Sequence, residues 1–261
     1  MNDFFHLNRF RLYFVKSVLE RPMQILGTFA LSFSVTAGIY LLLKFMGNIG
    51  LAQLMSFTIG LVGGGCLLAS QVFGFFADTG NGASFFTLPV SAFEKWLTGV
   101  ILVVLYVGCF LLFFRGLDTL FVHQYHANLN VHDARYQDQY DAVYIFSFFG
   151  EALSIFIFFL NAAAAMLLGS LYFNKIGFIK VALVICGIYF ISFLINYIFC
   201  AMMFKDMWQS FPFHMVKIQH GGETGIVNMP PLYNRIYDLS IYLLPAIFLF
   251  ISFIRLKEKE V

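Results

Sequence analysis

The run WLTGVILVVLYVGCFLLFF, from Trp96 to Phe114, sets the structural class of this chain. Wound as an α-helix it extends about 28 Å, close to the roughly 30 Å hydrocarbon thickness of a bilayer. It carries no charged residue. A helix apolar all round has no face to offer water and belongs in a core or in lipid. Five other runs share this character: Pro22 to Met46, Leu51 to Ala77, Val143 to Tyr172, Phe178 to Phe204, and Leu239 to Ile254. The fourth in chain order, Val143 to Tyr172, is long enough to tilt or to project beyond the bilayer. Pro245 predicts a kink in the last. Gly47-Asn48-Ile49-Gly50 reads as a tight turn between the first two.

Composition points the same way. The 261 residues are 60% hydrophobic and only 11% charged, with a mean hydropathy of +0.81. Soluble domains are about a quarter charged, and a chain of this length buries only about three quarters of the surface it exposes unfolded. Lipid is therefore expected as solvent for much of the rest, and the 35 phenylalanines suit it. A net charge of +2 gives no basis for nucleic-acid binding. Cys66, Cys109, Cys186 and Cys200 all lie in apolar runs without CxxC spacing and read as packing residues. The first apolar run begins only at Pro22 and exceeds a signal-peptide core, so the N-terminus is expected to stay attached and cytoplasmic.

The predicted class is an all-α integral membrane protein of six transmembrane helices, one membrane domain over residues 1–261. Lys and Arg orient it. With both termini inside, the cytoplasmic set is Arg9, Arg11, Lys16, Arg21, Lys95, Lys175, Lys180, Arg255, Lys257 and Lys259, ten of sixteen. Residues 1–21 form an amphipathic segment. Arg9, Tyr13, Lys16 and Glu20 recur on one side, and Leu7, Phe10, Phe14 and Val18 on another. Such a helix is expected to lie in the headgroup plane, apolar face down and basic face toward lipid phosphates.

Two outer segments stand apart. Residues 116–141 are polar and hold His123, His126, His132, Asp133, Asp138 and Asp141. Residues 205–238 contain Val216 to Gln219 and Ile226 to Asn228 about Gly221-Gly222, which predicts a small β-hairpin.

Chemistry is sparsely signalled. No Walker A pattern occurs, and the glycines of Gly60 to Gly65 sit in an apolar span, where spacing such as Gly60/Gly64 lets helices approach closely. His123 and His126 would share a helix face, but two histidines without a nearby cysteine do not make a closed metal site. No catalytic, cofactor-binding or metal-binding residues are expected in this chain. Glu151, Asn161 and Asn196 are polar positions in or near spans. Glu151 is either a buried functional carboxylate or a headgroup-level one, and the asparagines either bond between helices or line a substrate path.

The most specific feature is the cytoplasmic loop of residues 78–95. It reads DTGNGASFFTLPVSAFEK, with apolar patches on both sides of Pro89. Pro89 disfavours helical geometry at Leu88, which separates a short segment from the third span, and Ser84 is placed to cap that segment. An apolar patch on such a loop predicts a docking surface or burial against lipid.

Phe86-Thr87-Leu88-Pro89-Val90-Ser91-Ala92-Phe93-Glu94-Lys95 ahead of an apolar span resembles the coupling-helix region of ABC type 2 exporter permeases. In that family a Leu-x-x-x-Pro-Val-Ser-like pattern is followed by an acidic residue. Leu168 to Lys175 with Phe178-Ile179-Lys180 also resembles little-characterised permeases of Bacteroidetes-type bacteria. The acid-rich approach common in the family is here Gly80, Asn81 and Gly82. The resemblance implies a permease subunit in a bacterial inner membrane. Its partners would be cytoplasmic ABC ATPase subunits and a second permease half, either a copy or a different chain. ATP and Mg would be held by the ATPase. Coupling would fall to Phe85, Phe86, Leu88, Pro89, Ser91, Phe93, Glu94 and Lys95, with Glu94 and Lys95 at an exposed rim of the contact.

Topology is directly testable. Single cysteines introduced at Asn81 and Gly222, in a background lacking the native four, should label from opposite sides. An impermeant reagent on intact cells should reach Gly222→Cys and not Asn81→Cys; the reverse pattern would end this orientation.

Overall fold

A computed structural model describes residues 5–20, 22–73, 90–129, 136–147, 149–173, 177–204, 207–211, 215–220, 223–228 and 230–259. Among them, six helices are long and apolar enough to cross a membrane. In chain order the helices are α1 (Leu7–Glu20), α2 (Pro22–Phe45), α3 (Ile49–Thr58), a π-helical segment (Ile59–Gly64), α4 (Gly65–Val72), α5 (Ala92–Ala127), α6 (Tyr136–Ala142), α7 (Phe149–Tyr172), α8 (Gly177–Met203) and α9 (Pro231–Lys259). α3, the π segment and α4 together make the second span, Ile49–Val72. The chain divides into two compact units, Met1–Phe178 with Phe248–Val261, and Ile179–Ile247.

The first unit is organised around the second span, the most enclosed of the six. The turn ahead of it is as expected: Gly47 has a φ of 83°, and the Asn48 side chain accepts from the Leu51 N–H at 3.1 Å to cap α3. α2 faces the interior with Thr28, Ser32, Thr36 and Tyr40, all buried, while Leu26, Leu31 and Leu42 stay exposed. A four-residue step keeps side chains on one helix face. The helix therefore turns hydroxyls toward its neighbours and leucines outward, the reverse of a water-soluble helix.

The π segment lies where three helices close on one another. The Tyr106 hydroxyl of α5 donates to the Gly60 carbonyl at 2.7 Å, and Ser32 Oγ lies 2.5 Å from the Tyr106 oxygen and 3.3 Å from the same carbonyl. Wide π turns loosen the regular helical ladder, and here the partners come from α2 and α5. The glycines permit the approach. A Cβ on Gly60 would stand 2.1 Å from Thr36 Oγ1, one on Gly64 2.1 Å from the Tyr106 oxygen, and one on Gly65 2.4 Å from Phe159 of α7. The packing role expected of Gly60 and Gly64 is what the structure has. Phe57, Phe110 and Phe114 fill the core beside them, with Phe57 and Phe114 edge-to-face at 5.1 Å.

Several boundaries differ from expectation. α5 runs on to Ala127, so the first part of the 116–141 outer segment is helix; at 36 residues it is about 54 Å long and must project beyond a bilayer. α7 begins at Phe149, because Val143 to Ser147 form an irregular segment in which Phe146 takes a φ of 58°. α9 is one helix from Pro231 through Pro245 to Lys259.

α1 also presents a different face. Tyr13 is buried, Arg9 turns to the protein, and Leu12, Val15 and Leu19 are exposed together with Leu7, while Phe10, Phe14 and Val18 are half-buried. The reason is an acceptor for Arg9 on another helix, which outweighs the solvent preference of a lone guanidinium.

The second unit holds α8, a three-stranded antiparallel sheet and the first part of α9. The strands β1 (Met207–Phe211), β2 (Met215–His220) and β3 (Glu223–Asn228) lie in the order β1-β2-β3. β2 and β3 form the expected hairpin, in register from Met215–Asn228 to His220–Glu223. β1 was not foreseen; it pairs with β2 and its register shifts between Met207 and Gln209.

The glycine contacts generate a paired prediction. Gly64→Ala forces a methyl onto Tyr106 and Ser32, and overpacking of this kind costs about 1–3 kcal/mol. A Cβ on Gly63 meets nothing within 4 Å, so Gly63→Ala should leave thermal unfolding in detergent close to the parent while Gly64→Ala lowers the midpoint by several degrees.

Candidate functional site

The start of α5 gathers the part of the coupling region that is described. Phe85, Phe86, Leu88 and Pro89 lie outside the described residues; Ser91, Phe93, Glu94 and Lys95 lie within them. Ser91 is extended, and its side chain accepts from the Glu94 N–H at 3.3 Å while Glu94 Oε2 accepts from the Ser91 N–H at 3.1 Å. This reciprocal capping box starts the helix two residues after Pro89, and its carboxylate sits against the helix's positive end.

Glu94 does more than cap. Its carboxylate accepts Arg9 Nε at 2.8 Å, Arg9 Nη2 at 3.0 Å and the His6 backbone N–H at 2.7 Å. The Glu94 side chain is 0% exposed and Arg9 is 27% exposed. With Ser91, four donors converge on two oxygens, enough to offset the desolvation of a buried charge. Glu94 is therefore not at an exposed rim. Lys95 is not either, at 2% exposure; with Tyr13, Ser17, Gln24, Gln71 and Thr98 it lines a cavity of about 50 Å³, room for a few waters. The expectation failed because it assigned Arg9 to lipid phosphates and so left Glu94 without an internal partner.

Phe93 is half-buried. It meets Phe5 ahead of α1 at 6.2 Å and Phe253 of α9 at 6.1 Å, both edge-to-face. Trp96 donates its indole N–H to Ser252 Oγ at 2.9 Å. At the chain's end, burial and then the nearby Arg255 hold the Lys259 ammonium below its ordinary pKa. The N-terminal segment, the start of α5 and the end of α9 thus meet at one place, where the chain leaves the 78–90 stretch.

A second polar centre, not anticipated, lies about 24 residues further along α5, or about 36 Å. Asp118 is fully buried. Its Oδ1 accepts from the Tyr40 hydroxyl and from Gln53 Nε2, each at 2.8 Å, and its Oδ2 accepts from the Phe146 N–H at 2.8 Å. Gln53 also donates to the Tyr144 carbonyl at 3.0 Å and accepts from Ser147 Oγ at 2.5 Å. One carboxylate thereby holds α2, α3, α5 and the segment before α7. Its phase carried the signal: Tyr106, Phe110, Phe114 and Asp118 follow one another at steps of four on the buried face.

Of the other singled-out positions, Glu151 is in the first turn of α7, with its side chain outside what is described. Asn161 donates to the Ile157 carbonyl of its own helix at 2.8 Å. Asn196, on α8, accepts a long contact from Cys200 Sγ at 3.9 Å, and its Nδ2 is buried without a partner in the single chain. His126 Nε2 lies 2.7 Å from the Val143 carbonyl and its ring stacks on Tyr140 at 4.0 Å. Together with His123 and Asp141 they line an open cavity of about 640 Å³. Among the described residues, no three His, Cys, Asp or Glu side chains group closely enough to hold a metal ion. His132 and Asp133 lie outside the described residues.

No family model, curated protein or solved structure matches this chain.

The Glu94 contacts make the two partners unequal in mutation. Glu94→Ala removes the acceptor and the cap together but leaves Arg9 access to water. Arg9→Ala leaves a buried carboxylate without its cation, a change that costs about 3 kcal/mol. Both should free the N-terminal segment, seen as faster proteolysis ahead of Pro22. Arg9→Lys should restore part of the protection and Arg9→Ala none. Equal resistance in all variants would mean that the pair does not hold α1.

Proposed function

We propose that this chain is the membrane-spanning permease subunit of an ATP-driven ABC type 2 exporter of a bacterial inner membrane, with both termini cytoplasmic. The observation that carries the reading is the junction at Ser91 and Glu94. The loop that resembles a coupling helix feeds into a capped span start, and the cap's carboxylate also holds the N-terminal amphipathic segment. A force applied to that loop by a closing ATPase would reach α1 and α5 together. Six apolar helices and an elaborated segment before the last of them are in keeping with the same family.

On this reading the chain performs no chemistry. Two separate ATPase subunits hold ATP and Mg, and a second permease half completes the pathway. ATP binding biases a two-state membrane domain, and the substrate moves because its affinity differs between the states. A secondary transporter would place its ionisable groups near the bilayer midplane. Glu94 and Asp118 lie about 36 Å apart along α5, near the two boundaries of a bilayer on this reading. The stretch from Trp96 to Phe114 between them has no charge.

Docking can be tested apart from the fold. Burial of one phenylalanine is worth roughly 1.5–3 kcal/mol, so Phe86→Asp should strip a co-expressed ATPase from the purified permease by ten-fold or more while insertion and thermal stability stay unchanged. ATPase retention and turnover that match the parent would assign Phe86 to lipid contact. An unmutated permease that holds no ATPase when co-expressed with a neighbouring one would sink the exporter reading.

A further inference from the structure

β1 and β3 form the two edges of the sheet, and they differ. β1 shifts register between Met207 and Gln209, and such an irregularity blunts an edge against pairing. β3 is regular over all six residues and reads ETGIVN, with no proline, lysine or bulge. Gly225, Val227, Ile226 and Asn228 are exposed, Ile226 at 58% and Val227 at 43%. Natural proteins rarely leave a strand of this kind open.

The register shows which backbone groups are open. His220 and Glu223 are opposite across a two-residue connection, the arrangement in which the closing pair is hydrogen-bonded. Bonding then alternates along the ladder. Glu223, Gly225 and Val227 bond to β2, so Thr224, Ile226 and Asn228 direct their N–H and C=O groups away from it.

We infer that β3 is the pairing edge for β3 of a second copy of this chain, joining two sheets into one of six strands. The second permease half would then be identical to the first. This rests on the reading of the chain as one half of an exporter. The sequence of the strand is what selects a second copy. A two-fold axis relates antiparallel edge strands through a residue facing itself. Centred on Ile226, that axis sets Thr224 opposite Asn228 of the other copy, so the three outward-directed residues satisfy one another. Gly225 falls opposite Val227 of the other copy, and a Cβ at Gly225 would meet only the Ile218 carbonyl at 4.0 Å, which leaves open space for the valine. The one charge on the strand, Glu223, falls beyond the paired ladder, so no like charges oppose. An axis normal to the membrane keeps both copies in the same orientation, with both sheets on one side. The same unit holds Asn196, whose buried Nδ2 has no partner in the single chain.

The test is cysteine pairing in membranes, with Cys66, Cys109, Cys186 and Cys200 replaced. Under mild oxidation Ile226→Cys should form a disulfide-linked dimer at least ten-fold faster than Thr224→Cys, since position 226 alone faces itself at a separation within disulfide reach. Thr224→Cys and Asn228→Cys chains expressed together should cross-link to each other, and adding Ile226→Pro to both should abolish this. That proline removes only an outward N–H and leaves the β2–β3 ladder intact. Equal rates at all positions would signify collision and overturn the pairing. A particle of dimer mass without the Ile226→Cys cross-link would place the interface elsewhere. An ATPase-bound particle containing this chain and a different permease would overturn the second copy while leaving the exporter reading in place.

Discussion

Two buried carboxylates on one helix, Glu94 and Asp118, fix the partners of α5 at both of its ends. A carboxylate in a low-dielectric interior is several kcal/mol unfavourable unless donors surround it. Glu94 has four such donors and Asp118 has three. Apart from Ser91 at the cap of α5 itself, these donors come from the N-terminal segment, from α2 and α3, and from the segment before α7, so the cost of the charges is offset in full only when those elements are in position. The charge thereby makes assembly specific. The carboxylates stand about 36 Å apart along α5, so the apolar stretch between them is held at both ends.

Between the boundaries the interactions change kind. Lipid tails are as apolar as leucine, so burial of aliphatic surface gives little drive for helices to associate. Small residues and hydroxyls take over. The Thr28 hydroxyl donates to Gln71 at 2.9 Å, Ser32 meets Tyr106, and the glycines of the π segment let backbones come within reach. A π turn would be a weakness in an isolated helix. Here it brings the Gly60 carbonyl to Tyr106 and Ser32, so the loosened ladder and the interhelical bonds compensate one another.

Much of this architecture was legible in the sequence, and what was missed has a common cause. Six spans, the turn at Gly47-Asn48, the packing glycines and the β2–β3 hairpin follow from hydropathy, turn chemistry and alternation. Asp118 falls in a stretch that composition alone marks as polar and outer, and only periodicity distinguishes it. Extending the four-residue series from Tyr106 through Phe114 would have placed it on the buried face. The hydroxyl series of α2, from Thr28 to Tyr40, escaped because serine and threonine barely lower the mean hydropathy of a span. Glu94 and Arg9 were each assigned to surroundings, a docking rim and lipid phosphates. Their attraction to each other spans more than eighty positions, a separation that local pattern does not report. β1 carries no turn signal toward β2 as strong as Gly221-Gly222.

The distribution of buried polar bonds also separates what can move from what cannot. α2, α3, α5 and the segment before α7 share Asp118, so displacement of any one would strip donors from a buried charge. They are expected to shift as a body. At the other end of α5, Ser91 and Glu94 tie the N-terminal segment to the same helix. α8 stands in contrast. Leu183, Ile188, Phe190 and Phe199 are exposed, and its one deeply placed amide, Asn196 Nδ2, is unbonded within the chain. An unsatisfied amide in lipid costs free energy that a partner would recover. Among the described residues the first unit is rich in polar bonds between its own elements, whereas α8 keeps a buried amide without a partner in the single chain.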